Sequence, residues 1–289
     1  MLSGPVLKLV EMIQEAGFPA GVVNIILKSA RDGGSATATL GQFYKGDGET
    51  AAISLNAGLP IGEDGFVNIT LENRYHGHTI RGGPDRRVQN PDGTVLASAN
   101  AINKAGVPGA KGFPVINKIN GDAQYNIYNA YLNGGYKISD SADAYFTASY
   151  SHRIASAFQN YRIPSRVTRT VGTATIVPFP NGFDPKERLE EDDYSFGGGF
   201  KGEAGGWNWD VSSTYGHVRD QIFTINSANA SLFADTGLTP RNFYDGAFRS
   251  TEWTNNVDLA KDFEMGMAPP LTVAMGAEYR RNKYSISVG

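Results

Sequence analysis

Apolar and polar residues alternate in nine separate stretches of this chain. Residues 50–59 show the pattern clearly, because apolar side chains occupy every second position there. These side chains belong to Ala51, Ile53, Leu55, Ala57 and Leu59. Side chains of a β-strand point to opposite faces with a period of two, so each stretch predicts a strand with one apolar and one polar face.

Turn-forming residues separate these stretches and set their boundaries. The nine predicted strands cover residues 35–44, 50–59, 66–75, 125–138, 144–153, 193–203, 207–218, 251–262 and 271–281. Ahead of them, Leu9, Met12 and Ile13 share one side of a helical pattern, so a short amphipathic helix is predicted over residues 5–16. The chain is therefore divided into a helical N-terminal segment (1–20), a linking segment (21–34) and a meander of about nine strands (35–289).

The connections between the predicted strands alternate in length. One edge of the meander carries short turns, at residues 60–65, 139–143, 204–206 and 263–270. The other edge carries one short turn and three long segments, at residues 45–49, 76–124, 154–192 and 219–250. In outer-membrane barrels the short turns are periplasmic and the long loops lie outside the cell. The pattern thus predicts an all-β fold, an antiparallel meander that forms part of a transmembrane β-barrel, open or half closed.

A soluble antiparallel β-sandwich, acting as a binding module, is the alternative architecture, because it also alternates apolar and polar residues. The two differ in what touches the apolar side of the strands, which is lipid in a barrel and a second sheet in a sandwich. Long loops that recur on one edge are uncommon in compact soluble domains. Their recurrence here favours the barrel.

Composition excludes several classes of function. The formal net charge is −3 and the sequence pI is about 5.8, so no basic field favours nucleic acid. Cysteine is absent, which removes thiolate metal sites and any cysteine nucleophile. Neither a Ser/His/Asp set nor a paired-carboxylate arrangement can be argued from the sequence, so we expect no enzymatic activity and no cofactor.

Four segments closely resemble TonB-dependent outer-membrane receptors and occur in the same order as in that family. They are GVVNIILK (21–28), FGGGFKGEAGGWNWDVSSTYGH (196–217), TEWTNNVDLAKDFE (251–264) and LTVAMGAEYRRNKYSI (271–286). In the family the first of these ends the plug domain and leads into barrel strand one, and the others are early barrel hairpins. The resemblance covers residues 21–289 and implies part of a 22-stranded barrel closed around a plug.

What the resemblance implies about function is active uptake of a scarce ligand across the Gram-negative outer membrane. The ligand of the family is an iron–siderophore complex, a vitamin or an oligosaccharide, and external loops capture it. Outer-membrane lipid surrounds the barrel, and a TonB-type protein spanning the periplasm supplies energy through an N-terminal box. We expect this chain to lack the export signal, that box, nearly all of the plug and more than half of the strands. It is therefore expected to be a fragment that transports nothing alone.

Residues 1–25 have a second resemblance, which overlaps the first at Gly21–Ile25. LKLVEMIQEAGFPAGVVNI is similar to a helix–turn–strand in the nucleotide-binding region of aldehyde dehydrogenases. That family needs a cysteine nucleophile, and this chain has none. Aldehyde dehydrogenase activity is therefore excluded, and a fused reading frame or a chance likeness at the start of a fragment explains the overlap.

Weak candidates for ligand binding cluster where the third predicted strand ends. Arg74, His76 and His78 follow one another at alternate positions, and two histidines at this spacing can chelate a metal ion. No third ligand is evident, so an exposed loop start is the simpler interpretation and no metal site is predicted. Arg81 begins a basic stretch, residues 81–87, that is able to attract anionic ligands or lipopolysaccharide phosphates. Alternatively, these basic residues only keep an exposed loop soluble and bind no ligand.

A polar wall is also predicted on the side of the strands opposite the apolar residues. In the intact family the barrel interior contacts a plug, and a plain water-filled lumen is the alternative. The charged members of this wall are Glu72, Arg74, Arg153, Asp210, Glu252, Asp258, Glu278 and Arg280.

Overall fold

The structure, a computed structural model, describes residues 27–117, 121–266 and 270–289. Eleven β-strands lie in these ranges: β1 Gly34–Gly41, β2 Thr50–Ile61, β3 Gly65–His76, β4 Gln124–Ser139, β5 Ala142–Phe158, β6 Arg169–Val171, β7 Ala174–Ile176, β8 Lys186–Ala204, β9 Trp207–Ile225, β10 Phe243–Phe263 and β11 Leu271–Val288. Two short helices are present, α1 Ala101–Gly106 and α2 Ala230–Thr236. Within the described ranges neither helix has the length and apolar character needed to cross a membrane.

Nine of the strands form one antiparallel sheet. Its order is β1-β2-β3-β4-β5-β8-β9-β10-β11, and β6 and β7 pair with each other separately. The sheet is open, with β1 and β11 as its two edge strands. The prediction of an all-β antiparallel meander is confirmed. The predicted helix over residues 5–16 lies outside the described residues, and only residues 27–34 of the linking segment are described.

Several strands are longer than the alternating pattern predicts. β8 begins at Lys186, β9 ends at Ile225 and β10 begins at Phe243, all beyond the predicted bounds. Two of the long connections are consequently shorter than predicted and comprise residues 159–185 and 226–242. The start of β8 is charged on both faces, and the loop-side ends of β9 and β10 mix charged residues with Ile222, Phe223 and Phe248, so the regular alternation disappears although the backbone pairing continues.

The register of the sheet defines an apolar face and a polar face, because directly paired residues point to the same side. Leu55 pairs with Leu71, and Leu71 pairs in turn with Ala130. The apolar face remains open to its surroundings, since Leu71 is 49% exposed and Phe200 is 54% exposed. Among the described residues no second sheet lies against it. Its larger members include Leu55, Leu71, Leu132, Phe146, Phe200, Val211, Val257 and Met275.

A short extended segment, residues 27–33, lies across the polar face of β2, β3 and β4. Asn68 and Asn133 pair directly in register, and their side-chain amides donate to the carbonyls of Ala30 (2.7 Å) and Lys28 (2.9 Å). A Cβ at Gly58 would lie 2.4 Å from the Ala30 carbonyl oxygen, so the close approach requires glycine. The polar face thus binds the backbone of the segment that precedes β1.

Candidate functional site

The long connections leave the sheet from a single edge. Residues 77–123 join β3 to β4, residues 159–185 join β5 to β8, and residues 226–242 join β9 to β10. We call them loop A, loop B and loop C. The short connection between β1 and β2, residues 42–49, leaves from the same edge because neighbouring strands run antiparallel.

Local capping residues give the loops their short regular elements. The Asn100 side-chain oxygen accepts from the backbone N–H of Ile102 (2.8 Å) and starts α1 in loop A. The Asn229 side-chain oxygen accepts from the N–H of Leu232 (2.9 Å) and starts α2 in loop C. Gly237, with φ of 77°, ends α2 in the left-handed conformation that glycine tolerates.

Loops A and B share a small hydrophobic core, which we call the loop core. In it Val88, Val107 and Ile116 are fully buried, and Tyr161 of loop B is 2% exposed. Ala110 completes the cluster. Apolar side chains buried in this way hold two loops together that are far apart in sequence. Loops A and B therefore pack together as one unit.

Hydrogen bonds around the loop core satisfy its polar groups. Arg87 Nη2 forms an ion pair with Asp85 and donates to the backbone carbonyl of Tyr161 (2.6 Å). The Tyr161 hydroxyl donates to the carbonyl of Asn181 (3.0 Å), and burial raises its pKa to about 12. Burial also acts to raise the pKa of Asp85, but the hydrogen bonds from Arg87 outweigh it and hold that pKa below its usual range.

Polar and steric contacts extend the joint between loops A and B. The backbone N–H of Ser165 donates to Asn103 Oδ1 (2.9 Å), and Asn103 is 5% exposed. A Cβ at Gly106 would lie 2.0 Å from the carbonyl oxygen of Pro180, so the two backbones approach too closely for any other residue. Loop A thus fits loop B along α1 as well as through the loop core.

Loop C attaches to loop B through one arginine and two aromatic rings. The Arg241 guanidinium carbon lies 4.2 Å from the ring centroid of Phe179 and 5.1 Å from that of Phe183. The two rings meet edge to face at 4.9 Å. These are cation–π distances, and burial lowers the pKa of Arg241. The three long loops therefore form one continuous assembly at this edge.

Arg81 joins loop A to the β1–β2 connection. Its Nη2 donates to Asp47 Oδ1 (3.0 Å), its Nη1 contacts Asp47 Oδ2, and the backbone N–H of Ile80 donates to the same Oδ2 (2.9 Å). The guanidinium also lies 5.5 Å from the ring centroid of Phe43. The hydrogen bonds from Arg81 and Ile80 lower the pKa of Asp47 to about 2. The basic residue that was predicted to attract external anions is therefore bound to an internal carboxylate.

Replacing Asp47 by asparagine is expected to loosen the β1–β2 connection at neutral pH, which faster amide exchange of residues 42–49 will report. In the unmodified chain the pKa of Asp47 is depressed by folding, so its contribution is complete above the ordinary value of 3.8. That contribution is lost as the pH falls through about 2. Asp92→Asn is the matched control, because the Asp92 carboxylate accepts from Thr94, its neighbour within loop A. Equal exchange of residues 42–49 in both variants would contradict the prediction.

The other weak candidates do not converge on one site. His76 Nδ1 lies 3.0 Å from Thr50 Oγ1, and its Nε2 lies 3.5 Å from Asp122 Oδ2. His78 lies beyond β3, and its ring contacts Phe158 at 5.1 Å. Arg74 lies exposed on the polar face of β3. In the described ranges no group of three or more His, Cys, Asp or Glu side chains is placed to hold a metal ion.

The polar face carries the charged residues of the predicted polar wall, all on one side of the sheet. Arg153 Nη2 donates to Glu191 Oε2 (2.5 Å) across β5 and β8. Arg280 Nε lies 3.1 Å from Glu278 Oε1 on β11. These ion pairs lie on the face of the sheet that also binds residues 27–33.

The loop assembly differs from the rest of the chain in the sign of its net charge. Loops A, B and C contain ten Lys and Arg against five Asp and Glu, whereas the whole chain has a net charge of −3. The assembly therefore has a positive balance on a negative chain. Together with the exposed ring of Phe113, it offers cationic and aromatic groups to a ligand that approaches this edge.

Comparison with known proteins gives a likeness of fold. No family model matches the chain, and no curated protein matches it. Among solved structures, BauA, the ferric preacinetobactin receptor from Acinetobacter baumannii, is similar with a TM-score of 0.51 and 16% identity. The similarity covers 83% of this chain and 35% of that chain, so the chain spans about a third of the length of the receptor. The resemblance to outer-membrane receptors thus gains support at the level of the fold.

Proposed function

We propose that this chain is part of a TonB-dependent outer-membrane receptor, with loops A, B and C outside the cell and the short turns in the periplasm. The observation that carries the proposal is the open apolar face of a nine-stranded antiparallel sheet whose long connections all lie at one edge. A water-soluble protein covers a face of this size. Antiparallel strands with one open apolar face are typical of a barrel wall that contacts lipid.

The height of the apolar face fits a bilayer. On β10 the aromatic residues Trp253 and Phe263 mark its two ends, with Val257 and Leu259 between them. Asn255 and Lys261 share this face, and Lys261 Nζ reaches the Gly205 carbonyl in the short turn beyond it (2.8 Å). Ten residue steps at about 3.3 Å each give roughly 33 Å along the strand, or roughly 23 Å when the strand is tilted by about 45°. The apolar band of an outer-membrane barrel is about 25 Å tall. The remainder of β10, from Phe243 to Glu252, then projects beyond the membrane on the loop side.

The two sheet edges call for further strands. In hydrocarbon every backbone group has to be paired within the protein, and β1 and β11 each have one neighbour in the described sheet. Because nine strands is an odd number, β1 and β11 run in the same direction. A second copy placed end to end would therefore pair them in parallel, unlike every other pair in the sheet. Additional antiparallel strands of a longer parent receptor satisfy both edges.

The loop assembly is where a small-molecule ligand would be captured, with the ligand classes of the family as the candidates. Residues 27–33 would belong to the link between plug and barrel, which explains their contact with the polar face. Uptake in the parent depends on a plug and on a TonB-type partner. We expect this chain by itself, inserted in vesicles, to give no energy-coupled uptake.

Single cysteines will test the proposed orientation, because the chain contains none of its own. Thr173→Cys places a thiol in loop B between β6 and β7, and Glu63→Cys places one in the exposed turn between β2 and β3. Each variant is directed to the outer membrane of a Gram-negative cell by an added export signal. A membrane-impermeant maleimide is expected to label Thr173→Cys in intact cells and Glu63→Cys only after the outer membrane is permeabilised.

Two outcomes would overturn the proposal. Labelling of both thiols to the same extent in intact cells would show that the two edges of the sheet are not separated by a membrane. Recovery of the chain as a soluble periplasmic monomer would show that its apolar face has another covering, as the β-sandwich alternative requires.

A further inference from the structure

A row of aromatic side chains crosses the apolar face of β9, β10 and β11 near the loop side. Tyr215 pairs directly with Trp253 in the register. Trp253 meets Tyr279 edge to face, with ring centroids 5.9 Å apart. Aromatic rings of this kind mark the level at which hydrocarbon gives way to lipid headgroups. We call Tyr215, Trp253 and Tyr279 the aromatic row.

Four cations lie at this row or just beyond it on the same face. Arg281 pairs with Trp253, Lys283 pairs with Thr251, and Arg219 and Arg249 pair with each other one step farther toward the loops. We call these four residues the cationic row. Arg281 and Lys283 are exposed, and Arg219 and Arg249 are half-buried.

The cationic row is poorly neutralised by the protein. In the part of the chain that the structure describes, none of the four forms an ion pair, and Arg219 Nε is a buried atom without a hydrogen-bond partner. Arg249 donates a long hydrogen bond to Ser287 Oγ (3.4 Å). Like charges that face each other across two strands repel, and Asp192, in register with Arg219, offsets only part of this repulsion, so a further anion beside Arg219 and Arg249 is favourable.

The nearby carboxylates are shared with other partners, and one of them, Asp192, also attracts Arg219 electrostatically. Asp192 pairs with Arg219 in the register, but its Oδ1 is shared by His152 Nδ1 (2.8 Å) and the Tyr150 hydroxyl (2.9 Å). Glu190, the next carboxylate on this face of β8, forms an ion pair with Arg188. The face of β9 to β11 therefore keeps a local positive charge on a chain that is negative overall.

We propose that the cationic row binds the phosphate groups of an outer-leaflet lipid whose acyl chains lie along the apolar face below the aromatic row. The inference rests on the proposed function, because it needs the apolar face to be in a bilayer. Guanidinium groups match phosphate oxygens with paired hydrogen bonds, and two arginines side by side offer several donors to one phosphate. A free phosphate ion would use the cations alone, whereas a phosphorylated lipid uses both the cations and the adjoining apolar strip.

Vesicle association of the full chain tests this inference. The comparison is between vesicles of phosphatidylcholine alone and the same vesicles containing lipid A, which carries phosphomonoesters. The test variant combines Arg219→Gln, Arg249→Gln, Arg281→Gln and Lys283→Gln. The control variant removes the same number of charges from exposed loop residues, by Arg86→Gln, Lys104→Gln, Lys111→Gln and Arg166→Gln.

Lipid A is expected to strengthen association of the unmodified chain by about tenfold or more, and high salt is expected to remove much of the gain. The control variant should keep this gain, and the cationic-row variant should lose it while still binding phosphatidylcholine vesicles. An equal gain in the cationic-row variant, or no gain in the unmodified chain, overturns the inference. Release by inorganic phosphate at matched ionic strength also overturns it, in favour of a free-anion site. Failure of every variant to associate with phosphatidylcholine contradicts the proposed function instead.

Discussion

Replacing Val257 by arginine is expected to weaken insertion of the chain into a bilayer by about 2–4 kcal/mol, the cost of an arginine on the lipid face at mid-depth. Val257 lies on the apolar face of β10, where it pairs with Val211 and Ala277. It is 42% exposed in the protein and about midway between the two ends of the apolar band. Lipid is then its main contact, and a guanidinium there has to be desolvated. Urea titration of the vesicle-inserted chain, followed by tryptophan fluorescence, measures the change.

The adjacent residue supplies the matched control. Asn256 points to the polar face, where it pairs with Ser212 and Glu278. Asn256→Arg introduces the same side chain into the same strand, but next to a carboxylate and water, so we expect a change of about 0.5 kcal/mol or less. Comparable losses from Val257→Arg and Asn256→Arg would show that the two faces have been assigned to the wrong surroundings.

Replacing Tyr161 by alanine is expected to separate loops A and B, with a local cost of about 3–5 kcal/mol for emptying an aromatic site in a packed core. Tyr161 is 2% exposed and fills the loop core beside Val88, Val107 and Ile116. Amide exchange should accelerate in both loops, while the strands of the sheet keep their protection because the loop core lies outside the sheet. Hydrogen–deuterium exchange resolved by peptide distinguishes these two regions.

Two controls separate the parts of this effect. Tyr161→Phe removes only the hydroxyl that donates to the Asn181 carbonyl, so we expect about 0.5–1.5 kcal/mol. Phe113→Ala removes an aromatic ring of loop A that is 38% exposed and should leave the joint between the loops intact. Protection of loop A that survives Tyr161→Ala would mean that the loop core does not hold the loops together.

The sheet could be predicted because each strand is marked by the alternation of apolar and polar residues within its own sequence. The strand predicted over residues 50–59 is observed as Thr50–Ile61, and the one predicted over 66–75 as Gly65–His76. A contrast between apolar and polar faces marks a strand in the sequence, and it is present only where the two faces meet different media. At the loop-side ends of β8, β9 and β10 apolar and polar residues do not alternate regularly, so no pattern in the sequence distinguished these ends from loop.

The site could be predicted less well, because it is built from contacts between distant segments. Arg81 was singled out as part of a basic stretch that attracts external anions, whereas its partner Asp47 lies 34 residues earlier and no local pattern connects the two residues. The loop core joins Val88 to Tyr161 without any repeat that alternation or helical spacing would reveal. The sequence predicted long connections here, but only the packing of loops A and B shows that they form one unit.

Tryptophan fluorescence offers the test of whether the apolar face contacts lipid. All three tryptophans of the chain, Trp207, Trp209 and Trp253, lie on that face. In vesicles of phosphatidylcholine brominated along its acyl chains, we predict that their emission is blue-shifted and strongly quenched relative to unbrominated vesicles. Unquenched emission from a chain that sediments with the brominated vesicles would contradict a lipid-facing sheet, because the tryptophans would then be covered by protein.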